Sequence, residues 1–329
     1  MHLKALRTAD GSFEIDAYDA QGLFDKATAA LTKGDCNRAV QAYERLIAEF
    51  ADSSTLSSAL FNRGLCLEQL ERPADAAASY EQFLARGPDR KDTVDALFRA
   101  QAAYTAAQQP EAAIAALNRL LSLEPAIEGV DKVETLARKG ELLVQVGRLE
   151  DAEVGLKDAM LLHKSGRGIP EGSSSFYLAM AQFYIGEIRR AQMRSIALPA
   201  DENAAQAVLE AKCQKLLDAQ EEFSRAIRIA HPHWAAAAAY RIGGLYRELW
   251  DDLLGAPIPA DLDEEQAEVY REVLSSKLRV LLEKAVLQWE RTLKMARRLD
   301  LGGEWVERTS RDLNHIRAIL NPPEQTESH

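Results

Sequence analysis

Cysteine is scarce: only Cys36, Cys66 and Cys213 occur in 329 residues. They are too few and too scattered for a disulfide framework, and none sits in a CxxC pair. Hydrophobic residues make up 47% of the chain, yet nowhere approach the ~20 consecutive apolar residues of a membrane span. The opening MHLKALRTADG has no long apolar core, so it does not read as a secretory signal as it stands. Basic charge is the scarcer sign, with 40 Lys and Arg against 51 Asp and Glu and a net charge of −11. That balance argues against a nucleic-acid partner, which needs a basic face. The local clusters Arg189, Arg190, Arg194 and Lys294, Arg297, Arg298 read as solvated helix faces. No run of β-branched residues reads as a strand. Nucleophile elbows, phosphate loops and zinc-protease helices are also missing. His231 and His233 flank Pro232 with no acidic or Cys partner placed to complete the three or four ligands a metal needs. The sequence therefore predicts neither a metal, nor a cofactor, nor an enzyme.

Internal repetition is what the chain does have. LFDKA at Leu23–Ala27 returns as LFNRG at Leu60–Gly64 and as LFRAQ at Leu97–Gln101, an offset of 37 residues each time. A period of 20–50 residues marks a solenoid, in which each unit packs on its neighbours and the product is an extended binding surface. From Asp19 onward, helix formers dominate in short amphipathic stretches separated by tight turns.

These units resemble the tetratricopeptide repeat, a helix–turn–helix of about 34 residues, over roughly Asp19 to Leu320. The family motif sets a small residue in helix A against another 12 positions on in helix B, then a large residue 4 later and often Pro. Here it reads Ala27, Ala39, Tyr43; then Gly64, Ala76, Tyr80, Pro88; then Gln101, Ala113, Leu117, Pro125; then Gly140, Ala152, Leu156. Small residues let the two helices approach, and the large one fills the gap beside them. Gln101 departs from the pattern, so looser packing is expected there. Two expanded units follow, Ala181 with Tyr184, Ala219 and Phe223, and Gly243 with Tyr246, Ala285 and Trp289. Breaks fall at Leu198–Asp201 and Gly255–Asp263, Asp263 is a plausible N-cap, and Glu264–Leu299 reads as one long helix. The implied fold is an all-α, right-handed superhelical solenoid: an N-terminal arm of uncertain order over 1–18, four standard units over 19–165, two expanded hairpins plus a capping helix (Glu304–Leu320) over 166–320, and a disordered tail over 321–329.

In this family helix A lines the concave face. The residues three before each small residue are Phe24, Phe61, Phe98, Ala137, Leu178 and Tyr240, with Glu68, Asp95, Glu134, Glu141, Gln182 and Arg247 beside them. The aromatics either anchor a partner's apolar side chains or pack between neighbouring A helices; the sequence leaves both open. A protein or peptide partner is expected, with Phe24, Phe61, Phe98, Gln182, Tyr240 and Arg247 as the candidate groove. The family's dicarboxylate clamp for chaperone tails is not matched. Asn62 and Arg99 fit it, but Phe24, Thr28 and Asp95 stand where Lys, Asn and Lys are required.

The C-terminal half, from HWAAAAAYRIGGLYRELWDDLLGAPIP at His233–Pro259 through WERTLKMARRLDLGGEWVERTSRDL, resembles envelope tetratricopeptide lipoproteins of myxobacteria associated with adventurous gliding motility. That resemblance implies a periplasmic or outer-membrane-associated scaffold with a lipid anchor on a Cys. The chain shows no lipobox, so the anchor would belong to a removed leader. The alternative is a soluble cytoplasmic adaptor or regulator.

Overall fold

The computed structural model describes residues 2–7, 13–166, 168–170, 175–199, 202–258 and 262–321. Within the expected arm and tail, residues 1, 8–12 and 322–329 lie outside the described residues. The chain falls into two compact units, Met1–Ile127 and Glu128–His329.

In the first unit, six helices form three hairpins: α1 (Ala20–Thr32) with α2 (Cys36–Glu49), α3 (Leu56–Gln69) with α4 (Pro73–Leu84), and α5 (Arg90–Ala106) with α6 (Pro110–Leu121). Asp19, Asp35 and Asp89 cap α1, α2 and α5 by accepting backbone N–H bonds from Gly22, Arg38 and Asp92. Pro73 and Pro110 open α4 and α6, where a missing N–H is harmless. Each hairpin turns on a residue in the left-handed region: Gly34 (φ 76°), Glu71 (φ 55°) and Gln108 (φ 58°).

Ahead of α1 stand two strands, β1 (His2–Arg7) and β2 (Phe13–Tyr18), paired antiparallel with Leu3 opposite Ala17 and Ala5 opposite Ile15. The sequence left residues 1–18 as an arm of uncertain order; the described part of it is this hairpin. The signal is the alternation Phe13-Glu14-Ile15-Asp16-Ala17, a period of two that needs no β-branched run. Tyr18 fastens the hairpin to α2: its ring centre lies 3.5 Å from the Arg45 guanidinium carbon, and its hydroxyl donates to Glu49.

The second unit contains α7 (Gly129–Gln145), α8 (Leu149–Ser165), α9 (Phe176–Ser195), α10 (Glu202–Arg228), α11 (Pro232–Leu254), α12 (Glu264–Arg298) and α13 (Glu304–Leu320). α7 and α8 pair with each other and both pack on α9. Arg189 grips Glu153 through both terminal nitrogens, at 2.8 and 2.5 Å, and the Tyr184 hydroxyl donates to Glu141. The extra residues of the expanded units lengthen the helices themselves, to 27 residues in α10 and 35 in α12. A capping box holds the start of α12: Gln266 N–H donates to Asp263, and Asp263 N–H to the Gln266 side chain. Lys212, 1% exposed, binds α10 to its neighbours. Its ammonium donates to the carbonyls of Met193 and Ile196 at the end of α9, at 2.9 and 2.8 Å, and pairs with Asp252 of α11 at 2.8 Å.

Where the small residue of a pair is glycine, it meets a large side chain of the partner helix. A Cβ added to Gly64 would stand 2.6 Å from Tyr80, one at Gly140 2.4 Å from Leu156, and one at Gly243 2.3 Å from Trp289. The fifth pair uses Gly186, whose added Cβ would lie 2.6 Å from Phe223, and not Ala181. The register in α9 is thus five residues later than expected. Gln101 does not loosen the third pair: it is 3% exposed beside a fully buried Leu117, and its amide donates to Thr105 Oγ1 at 2.9 Å.

Candidate protein-binding surface

In the first unit the aromatic ladder divides by its neighbours. Phe24 is half-buried against Tyr43, with ring centres 6.1 Å apart. Phe61 is wedged edge-on between Tyr80 (5.6 Å) and Phe83 (5.2 Å). At the positions 37 residues after Tyr80 and Phe83 the chain has Leu117 and Leu120, so no ring holds Phe98 in this way. Phe98 instead lines an open cleft of about 660 Å³ between α3 and α5. Pro73, Ala102 and Ala106 continue its apolar floor, and Glu68, Glu71, Asp95 and Arg99 form its rim.

The rim is ordered by hydrogen bonds. Glu68 accepts from the Tyr80 hydroxyl at 2.7 Å and from Arg99 at 3.1 Å. Arg99 also lies 3.5 Å from Asp95, and its guanidinium carbon is 5.7 Å from the Phe61 ring centre. Burial and the adjacent Glu68 push the Tyr80 hydroxyl pKa well up, so it stays a neutral donor. Three carboxylates and one guanidinium leave the rim net acidic. Around an apolar floor, such a rim suits an apolar side chain flanked by Lys or Arg.

In the second unit the predicted positions are engaged internally. Ala137 is fully buried and Leu178 half-buried. Gln182 is 8% exposed and faces α10, where its amide donates to the Glu222 carboxylate at 2.7 Å and carbonyl at 3.3 Å. Its assignment to an open groove came from the misplaced register. With Gly186 as the small residue, the equivalent positions are Phe183, Glu187 and Arg190. Arg190 binds Glu248 through Nε and a terminal nitrogen, at 2.9, 3.0 and 2.5 Å, and donates to Glu187 at 3.0 Å. Arg241 meets Glu187 at 2.8 Å. Sequence reasoning missed this network; the one glycine of α9 was the signal that could have placed it.

Tyr240 belongs to the cap. Its ring stacks on Trp289 (6.1 Å, 17°), lies 5.6 Å from Trp305, and its hydroxyl donates to Asp312 at 2.7 Å. Arg247 is half-exposed, 3.5 Å from Asp251 and 3.8 Å from Asp312. Glu134 accepts from Arg138 at 2.7 Å, and Arg138 donates to the Tyr177 hydroxyl at 3.1 Å. Glu141 carries a carboxyl whose pKa is raised by burial. Glu153 is the opposite case, held down at about 2, chiefly by its hydrogen bonds from Arg189. Among the described residues, no three His, Cys, Asp or Glu side chains converge as a metal site, and no helix is long and apolar enough to cross a membrane.

No curated protein matches the chain. Solved structures do. A tetratricopeptide repeat protein from Parabacteroides merdae ATCC 43184 is similar over 91% of this chain and 98% of its own, at 15% identity and a TM-score of 0.42. MamA is similar over 63% and 94%, at 18% identity and a TM-score of 0.39. A Rap protein complexed with competence and sporulation factor is similar over 92% and 98%, at 13% identity and a TM-score of 0.38. Residues 24–91, which run from Phe24 in α1 to the first turn of α5, match the family model of the tetratricopeptide repeat.

Proposed function

We propose that the chain is a non-enzymatic scaffold that binds a segment of another protein in the α3/α5 cleft. The observation that carries this is Phe98, which lines an open cleft where the equivalent Phe61 is enclosed by rings. An apolar floor under an acid rim favours a partner segment with one apolar anchor beside a Lys or Arg. The long-range field supports the same charge preference, since a net −11 chain attracts basic segments. The envelope reading rests on the resemblance carried by His233–Pro259, and cell fractionation of the tagged protein discriminates it from the cytoplasmic alternative.

The test is photo-crosslinking in cells from a photoreactive residue at Ala102, with the same residue at Gln41 on α2 as control. Captured peptides from the Ala102 position should converge on short segments pairing an apolar residue with Lys or Arg. Capture no different from the control position would overturn the proposal.

A further inference from the structure

Helix α12 carries two opposite faces. Leu282, Ala285, Trp289, Thr292 and Ala296 are buried, and Leu282, Ala285 and Trp289 share a cluster with α13 residues Leu313 and Ile316. None of the residues from Glu264 to Leu281 is buried. On the side turned away from the buried face stand Val269, Val273, Val280 and Leu287, which are 55%, 47%, 50% and 45% exposed. Val273, Val280 and Leu287 recur every seven residues, and Val269 lies four before Val273. These positions follow the narrow 4-3 track of a coiled coil, with Ser276 and Glu283 as its two polar positions.

We propose that this seam pairs with the same seam of a second copy of the chain, antiparallel, about a twofold axis between Leu274 and Ser275. The argument is charge complementarity. In that register Val269 meets Val280 of the other copy and Val273 meets Ser276. The flanks then match twice over by symmetry: Glu272 faces Arg279, and the Tyr270 ring faces the Lys277 ammonium. Arg279 also donates Nε to Glu283 within its own helix at 3.2 Å, and a guanidinium has donors on two further nitrogens. A parallel pairing would keep one attractive contact, Glu272 with Lys277, but would set Arg279 against Lys284; the antiparallel register has no such like-charge contact and is preferred. The overlap is about 20 residues, or about 30 Å. This lies at the small end of specific interfaces, so the dimer is weak and concentration-dependent.

Sedimentation velocity of the full chain over about three decades of concentration should show a reversible monomer–dimer equilibrium. Glu272→Arg alone and Arg279→Glu alone should each weaken it at least about tenfold. The double exchange Glu272→Arg with Arg279→Glu should restore it. Register is read by oxidative crosslinking, with the unsubstituted chain as blank. Val269→Cys mixed with Val280→Cys should give a disulfide dimer, and either alone far less, because each lies about 16 Å from its own symmetry mate in this register. A monomer at every concentration, a dimer indifferent to the single exchanges, or crosslinking of Val269→Cys with itself would each overturn the proposal.

Discussion

Gly186 and Gly155 are both helical glycines, but they should answer the same substitution with opposite signs. A Cβ at Gly186 meets the fully buried Phe223 ring at 2.6 Å, whereas one at Gly155 meets nothing within 4 Å. Gly155→Ala gains helix propensity and should stabilise the protein by about 0.5–1 kcal/mol. Gly186→Ala makes the same gain but overpacks a close helix contact at about 1–3 kcal/mol, so net destabilisation is expected. Denaturant melts of the two variants check this, and equal shifts would contradict the Gly186 register. Glu153 makes a prediction about pH. Its folded pKa of about 2 lies below the ordinary 4.5, so the folded state holds its proton less tightly than the unfolded one. The stabilisation from Arg189 is complete above about 4.5 and lost as pH falls toward about 2. Melts between these values should slope downward with acid, and Glu153→Gln should flatten part of that slope.

Among the elements, the hairpin turns are set by backbone geometry. Gly34 and Gly147 reach φ 76° and 79° without strain, while Glu71 and Gln108 occupy the same region with side chains. Gly34→Ala should therefore lose about 1 kcal/mol, with nothing within 4 Å of the new Cβ to blame. Gln108→Gly should gain up to about 1 kcal/mol from relieved φ strain. Thermal unfolding measures both, and matching signs would contradict the account. The sequence announced only the two glycine turns, because a strained Glu or Gln looks like any helix-surface residue. It did show the close pairs Gly64–Tyr80, Gly140–Leu156 and Gly243–Trp289, since only a residue without a side chain fits against such bulk. It missed Gly186 because α9 offers both Ala181 and Gly186 as small residues. In the standard pairs a fixed spacing of 12 chooses the register, and the lengthened helices α9 and α10 erase it.

Across the whole molecule, helix pairs are legible and the binding surface only partly so. The 37-residue repeat puts Phe24, Phe61 and Phe98 at equivalent positions, but their surroundings differ through the B helix. Tyr80 and Phe83 enclose Phe61, and Leu117 and Leu120 occur where those rings would be needed for Phe98. One pattern thus yields both a packed ring and a cleft-lining ring, and no single spacing tells them apart. Titration calorimetry of the captured partner segment against the unsubstituted chain, Phe98→Ala and Asp95→Lys tests the central claim most directly. The account predicts about tenfold or greater loss of affinity in both variants, with the Phe98→Ala melting temperature nearly unchanged. Affinities equal to that of the unsubstituted chain in both would contradict it.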